Sequence, residues 1–294
     1  MFKLLRRGLP RNTCHGCYSL GVWISVTSYK PVRPQTPMNP VNLVYYSPTG
    51  TSKRVGEAVA RGVGLPVVEI DLTPSRGRSR IHLEPGLAVV AAPVYSGRIA
   101  PTAVERLGSL SAPGNPAVLL AVYGNRAYED ALVELYDVAV QRGLKPIAAG
   151  AFIGEHSYSS EATPIAPGRP DELDLRRAEE LGRQALEKLR RGDLSPPRVP
   201  GNRPYRQGGR RGGRSPETDS EACIRCGACV RACPVGCVTL GEEVATDKSL
   251  CTFCSACVKA CPTGARVWLD EGVLKTARWL AQEHGDRKKP EVFL

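Results

Sequence analysis

From Asn42 to Arg191 the chain alternates short apolar runs with stretches of helical period. Asn42 to Tyr46, Pro66 to Ile70, Leu87 to Ala91, Ala117 to Tyr123 and Pro146 to Ile153 have the length and apolar content of strands. The third is continuously apolar, as a strand covered on both faces must be. Between them, Ser52 to Val63 places Val55, Val59 and Val63 on one helical face, and Pro101 to Leu110 begins with a proline suited to a first helical turn. Tyr128 to Arg142 and the charged, amphipathic Asp171 to Arg191 supply two more helices. Five strands alternating with helices predict an α/β fold built on a doubly wound parallel sheet. Such sheets bind ligands beyond the carboxyl ends of their strands, and for the strand order 2-1-3-4-5 the site lies beside strands one and three.

The periodicity stops after Arg191. Residues 191–220 are rich in Arg, Gly and Pro and read as a linker. The pattern predicts four parts: a leader (1–38), an α/β domain (39–190), the linker (191–220) and a cysteine-rich domain with a C-terminal helix (221–294). A length of 294 residues suits two folded domains, and no apolar run approaches the roughly 18 residues that span a bilayer, so no membrane is expected as a partner.

The net charge of +11 is concentrated outside the predicted domains. Residues 1–38 carry six Lys and Arg and no acid, residues 190–220 carry eight Arg against three acids, and the remainder is neutral. The excess therefore reads as a solvated spacer rather than a nucleic-acid surface. The leader holds Cys14 and Cys17 without a second ligand pair. Met38, just ahead of the first strand, is read as the true start, or the leader as disordered.

Nine of the eleven cysteines fall between Cys223 and Cys261, which suits metal ligation in a reducing compartment and an expected cytoplasmic location. They form two copies of C-x2-C-x2-C-x3-C-P offset by 28 residues: Cys223, Cys226, Cys229, Cys233 and then Cys251, Cys254, Cys257, Cys261. Three thiolates spaced two residues apart wrap a loop around a cubane, and soft sulfur selects iron. Small residues between them (Gly227, Ala228, Ser255, Ala256) let backbone N–H groups reach cluster sulfurs. The motif resembles the bacterial-type ferredoxins with two [4Fe–4S] clusters. That resemblance implies exchange of the fourth ligand, so that one cluster takes Cys223, Cys226, Cys229 and Cys261 and the other Cys251, Cys254, Cys257 and Cys233. Cys237, extra to the motif, reads as buried packing beside a cluster.

The first strand runs through Ser47-Pro48-Thr49-Gly50-Thr51-Ser52 into a helix. A hydroxyl-rich loop at a helix N-terminus suits a phosphate, and both the P-loop and the dinucleotide glycines are absent. After strand three comes Pro93-Val94-Tyr95-Ser96-Gly97-Arg98, and after strand four Tyr123-Gly124-Asn125. Each offers a ring to stack on a flavin and a glycine that frees backbone N–H groups. His156 and Tyr158 after strand five could face the same place. The phosphate loop resembles that of flavodoxins, with Ser52 replacing the last Thr, which implies a flavodoxin-like fold and bound FMN. Tryptophan, frequent beside the flavin in short-chain flavodoxins, is missing from both later loops.

The whole arrangement resembles the fused flavodoxin–ferredoxin proteins of anaerobic bacteria and archaea. The resemblance implies an electron-transfer flavoprotein passing electrons between two [4Fe–4S] clusters and FMN, with redox proteins as donor and acceptor. Two other functions are compatible with the sequence. One is a flavin-dependent reductase acting on a small substrate near Tyr95, Arg98, Tyr123 and His156; the other is a redox-responsive protein whose Arg-rich linker binds nucleic acid.

Overall fold

A computed structural model describes residues 39–75, 80–208 and 212–294. The leader, with its paired cysteines and Met38, lies outside the described residues. Five parallel strands form the sheet: β1 (Val41–Tyr45), β2 (Val67–Asp71), β3 (Ala88–Tyr95), β4 (Pro116–Tyr123) and β5 (Lys145–Ile153). Their order is 2-1-3-4-5. Alternate residues feed two cores. Leu43, Val89 and Leu120 pack under α1 (Thr51–Val63) and α4 (Glu172–Arg190), while Val44, Val90 and Leu119 pack under α2 (Pro101–Leu107) and α3 (Ala131–Gln141). All six side chains are buried, which explains the unbroken apolar runs.

Helices α1 and α4 meet at near backbone contact. A Cβ on Gly182 would lie 2.1 Å from the Val59 carbonyl oxygen, so only glycine fits. Asp171 caps α4, its carboxylate accepting from Leu173 N–H and Asp174 N–H. Here the structure follows the amphipathic pattern closely. Strand β3 is longer than the run Leu87 to Ala91: Ala92 and Pro93 continue the ladder with β4, Val94 and Tyr95 pair antiparallel with Ile99 and Arg98, and the Pro93 carbonyl accepts from Ala100 N–H at 2.9 Å.

The second part is a small α+β unit built twice. Two short helices, α5 (Ala228–Ala232) and α6 (Ala256–Lys259), each follow a residue of positive φ, Gly227 and Ser255. An antiparallel pair, β6 (Val238–Leu240) with β7 (Val244–Thr246), lies between the repeats, and Arg266–Val267 pairs with Glu217–Thr218.

Two features were not expected. The C-terminal helix α7 (Glu271–Glu283) is followed by β8 (Glu291–Phe293), which pairs antiparallel with β5 and covers that edge of the sheet. The described part of the linker is a strap along α3 rather than a free spacer. Asp130 accepts from the backbone N–H groups of Asn202 and Arg206, Arg203 pairs with Asp137 at 2.6 Å, and Arg206 pairs with Glu129. These arginines are neutralised within the fold. Among the described residues no helix is long and apolar enough to cross a membrane.

Candidate functional site

The loop from β1 enters α1 through Gly50, whose φ of 83° is the left-handed conformation that glycine adopts without strain. The first intrahelical bond runs from Arg54 N–H to the Gly50 carbonyl, so the N–H groups ahead of it are free of the helix ladder. Ser47 Oγ accepts from Lys53 N–H at 3.0 Å and braces the turn. Ser52 is fully buried, and its Oγ has no hydrogen-bond partner. A buried hydroxyl left unmatched costs free energy unless a ligand supplies its partner.

These residues open onto a cavity of about 450 Å³. Ser47, Pro48, Thr49, Thr51 and Ser52 line one end. Pro93 to Gly97 form a second wall, and Tyr123 and Gly124 a third. The structure thus brings together the three predicted loops, with two exceptions. Gly50 shapes the turn without lining the cavity. Asn125 does not line it either, because its amide donates to the carbonyls of His284 (2.6 Å) and Asp286 (2.8 Å) and ties down the end of α7. Its positive φ of 65° turns it away from the run of the loop.

His156 forms part of the wall and explains Gly124: a Cβ there would lie 2.2 Å from His156 Cδ2. Tyr158 N–H donates to His156 Nδ1 at 3.0 Å, which leaves Nε2 to carry the proton of the neutral ring. Burial, reinforced by Arg126 and Lys259, lowers the imidazole pKa to about 4. The unfolded chain holds this proton below about pH 6.5 and the folded chain only below about 4, so stability falls as pH drops through that interval. Urea unfolding at pH 7 and pH 4.5 should show a pH-dependent loss that shrinks in His156→Gln, with the full window worth on the order of 3 kcal/mol. An unchanged loss in the variant would contradict the assignment. Arg98 reaches the cavity too, but its guanidinium is held bidentate by Glu134 (2.6 and 2.7 Å) and lies over the Tyr205 ring.

Several lining residues could not be found from local sequence. Thr252 and Phe253, between Cys251 and Cys254, form part of the wall, as do Gly272, Val273, Thr276, Trp279 and Leu280 of α7. Rings run on from the cavity toward the second cysteine loop. Tyr158 lies 5.1 Å from His156 and 5.6 Å from Trp268, and Trp268 lies 6.0 Å from Phe253.

The eight motif cysteines divide between two small pockets. One is lined by Cys223, Cys226, Cys229 and Cys261, the other by Cys233, Cys251, Cys254 and Cys257, with Cys237 beside them. Among the described residues no three His, Cys, Asp or Glu side chains close on one ion; the thiols are spread around a space. The donor set fits iron–sulfur clusters. Burial pushes the Cys254 thiol up to about 12, so a thiolate there needs cationic compensation of the kind iron supplies. Cys233 moves the opposite way, because the Cys237 thiol (Sγ to Sγ 3.4 Å) and backbone N–H groups donate to it. Cys237 is buried, in keeping with a packing role.

Residues 222–265 match the 4Fe-4S dicluster domain family. No curated protein sequence matches the chain. Among solved structures it is similar to a flavodoxin from the domain Archaea, at 15% identity over 52% of this chain and 99% of that one, TM-score 0.34. A flavodoxin from Streptococcus pneumonia matches at 18% identity over 51% of this chain and 99% of that one, TM-score 0.37. A Fusobacterium nucleatum flavodoxin solved with flavin mononucleotide matches at 16% identity over 52% and 97% of the two chains, TM-score 0.36. The strand order defines a flavodoxin-like α/β fold, and a small ferredoxin-like domain follows it.

Proposed function

We propose that the chain is an electron-transfer flavoprotein of the fused flavodoxin–ferredoxin kind, exchanging electrons between two [4Fe–4S] clusters and one FMN. Bound FMN would supply a centre that accepts one or two electrons, and the clusters one-electron steps. The loop 47–52 holds the phosphate end through Thr49, Thr51, Ser52 and the start of α1. The walls at 93–97 and 123–124 hold the ring system. One observation carries the reading: Thr252 and Phe253, inside the second cysteine motif, line the same cavity as the phosphate loop.

Burial gives the path a direction. Cys251, Cys254 and Cys257 are buried and Thr252 and Phe253 between them line the flavin cavity, whereas in the other quartet only Cys229 is buried, Cys226 is exposed and Ile224, next to Cys223, is 65% exposed. The second-repeat quartet therefore faces the flavin, and the first-repeat quartet faces partner redox proteins. A small-substrate reductase is less well supported, because Arg98, the cation that reading placed at the substrate, is already committed to Glu134.

Anaerobically purified protein should contain about eight iron and eight acid-labile sulfide per chain. Cys254→Ala should reduce this to about four and slow flavin reduction by a one-electron donor, while Cys237→Ala should leave about eight. A wild-type value near four would remove the two-cluster reading.

A further inference from the structure

The flavin cavity is finished by a segment far from the flavodoxin-like loops. Helix α7 presents Gly272, Val273, Thr276, Trp279 and Leu280 to it, positions that share one helical face. Trp279 is 45% exposed although it stands in a cavity wall, and its ring touches only His284 edge-on at 4.8 Å among the recorded ring contacts. A large apolar face held open toward a cavity is what a planar ligand would cover.

The helix is not free to leave. Ala277 and Leu280 pack on fully buried Ile165. Asp270 caps the N-terminus, accepting from Val273 N–H. Asn125 holds the other end through the His284 and Asp286 carbonyls, and β8 then enters the main sheet. Asn125 follows the Tyr123-Gly124 wall directly, so the flavin loop and the helix are tied to each other.

We propose that Trp279 is the aromatic partner of the flavin ring system, supplied by the C-terminal helix in place of a tryptophan in either flavodoxin-like loop. This rests on the flavin reading above. The ring site is then incomplete in residues 39–190 alone, and the tail beyond the cysteine motifs belongs to it. The indole contributes stacking area and excludes water.

The test uses the full chain carrying its clusters, with flavin removed, titrated with FMN and followed by flavin fluorescence. Wild type should bind and quench the flavin. Trp279→Ala should weaken binding about 10- to 100-fold and restore part of the emission of the flavin that does bind, whereas Trp279→Phe should lie within about 5-fold of wild type. Iron content and thermal midpoint should match wild type in both variants, since Trp279 is half exposed. Wild-type affinity and full quenching in Trp279→Ala would overturn the inference and leave the flavin reading standing. Absence of FMN binding by the wild type would overturn both.

Discussion

Thr49→Ala combined with Ser52→Ala is expected to abolish FMN retention through purification while leaving the iron content at about eight. Each hydroxyl lost at a phosphate costs about 1–3 kcal/mol, so the pair should weaken affinity by about 30-fold to 10⁴-fold if the effects add. The two positions differ in what they do without ligand. Ser52 Oγ is buried and unpartnered, so its removal relieves a desolvated group. Apoprotein carrying Ser52→Ala alone should therefore melt no lower than wild type, even though it binds FMN more weakly. A lower melting temperature in that apoprotein would mean the hydroxyl serves the fold, not a ligand. Fluorescence titration and calorimetry on the same sample separate the two.

Arg106→Met is expected to give the largest loss of stability. Arg106 is buried on α2, and one guanidinium nitrogen donates to the carbonyls of Leu72 (2.8 Å) and Thr73 in the loop after β2. The other donates to the carbonyl of Pro234, next to Cys233, and the group lies 5.4 Å from the Tyr46 ring centroid. One side chain thus joins the sheet, the α/β loops and the second-repeat cluster loop. Methionine fills a similar volume but leaves the carbonyls without donors. At about 1.5–3 kcal/mol for a hydrogen bond to a charged group, losing two or more should lower stability by at least about 3 kcal/mol, or about 6–12 °C in melting temperature. A shift under about 2 °C would show that the Pro234 contact contributes nothing to joining the parts.

The four strands β1, β3, β4 and β5 could be read from the sequence because they are largely buried on both faces, and two-sided burial leaves a continuous apolar run; edge strand β2, with Val67 and Val68 exposed, was legible only from its β-branched run between turns. The loop proposed to hold the phosphate was local too: Ser and Thr around one glycine, between a strand and an amphipathic helix, is an arrangement that a short stretch of sequence displays. The cysteine quartets were set by spacing, and exchange of the fourth ligand followed from the family resemblance rather than from the residues themselves. The structure divides the same eight cysteines between two pockets in that way.

Other features depended on contacts between residues 66 or more positions apart. An amphipathic pattern says that one face of α7 will be covered, but not by what, and nothing near Trp279 marks it as part of a cavity wall. The three residues of β8 are too few for a periodic signal, and they form a strand only because β5 offers an unpaired edge. Arg203 and Arg206 looked like free charge because their acidic partners, Asp137 and Glu129, lie on or beside α3. Asn125 was read as a flavin contact from its place beside Tyr123 and Gly124, yet its side chain is engaged by the end of α7. Sequence alone determined what can be encoded within one strand, one turn or one motif. Which of these elements share a cavity was decided by packing, because burial rewards whichever surfaces meet regardless of their distance along the chain.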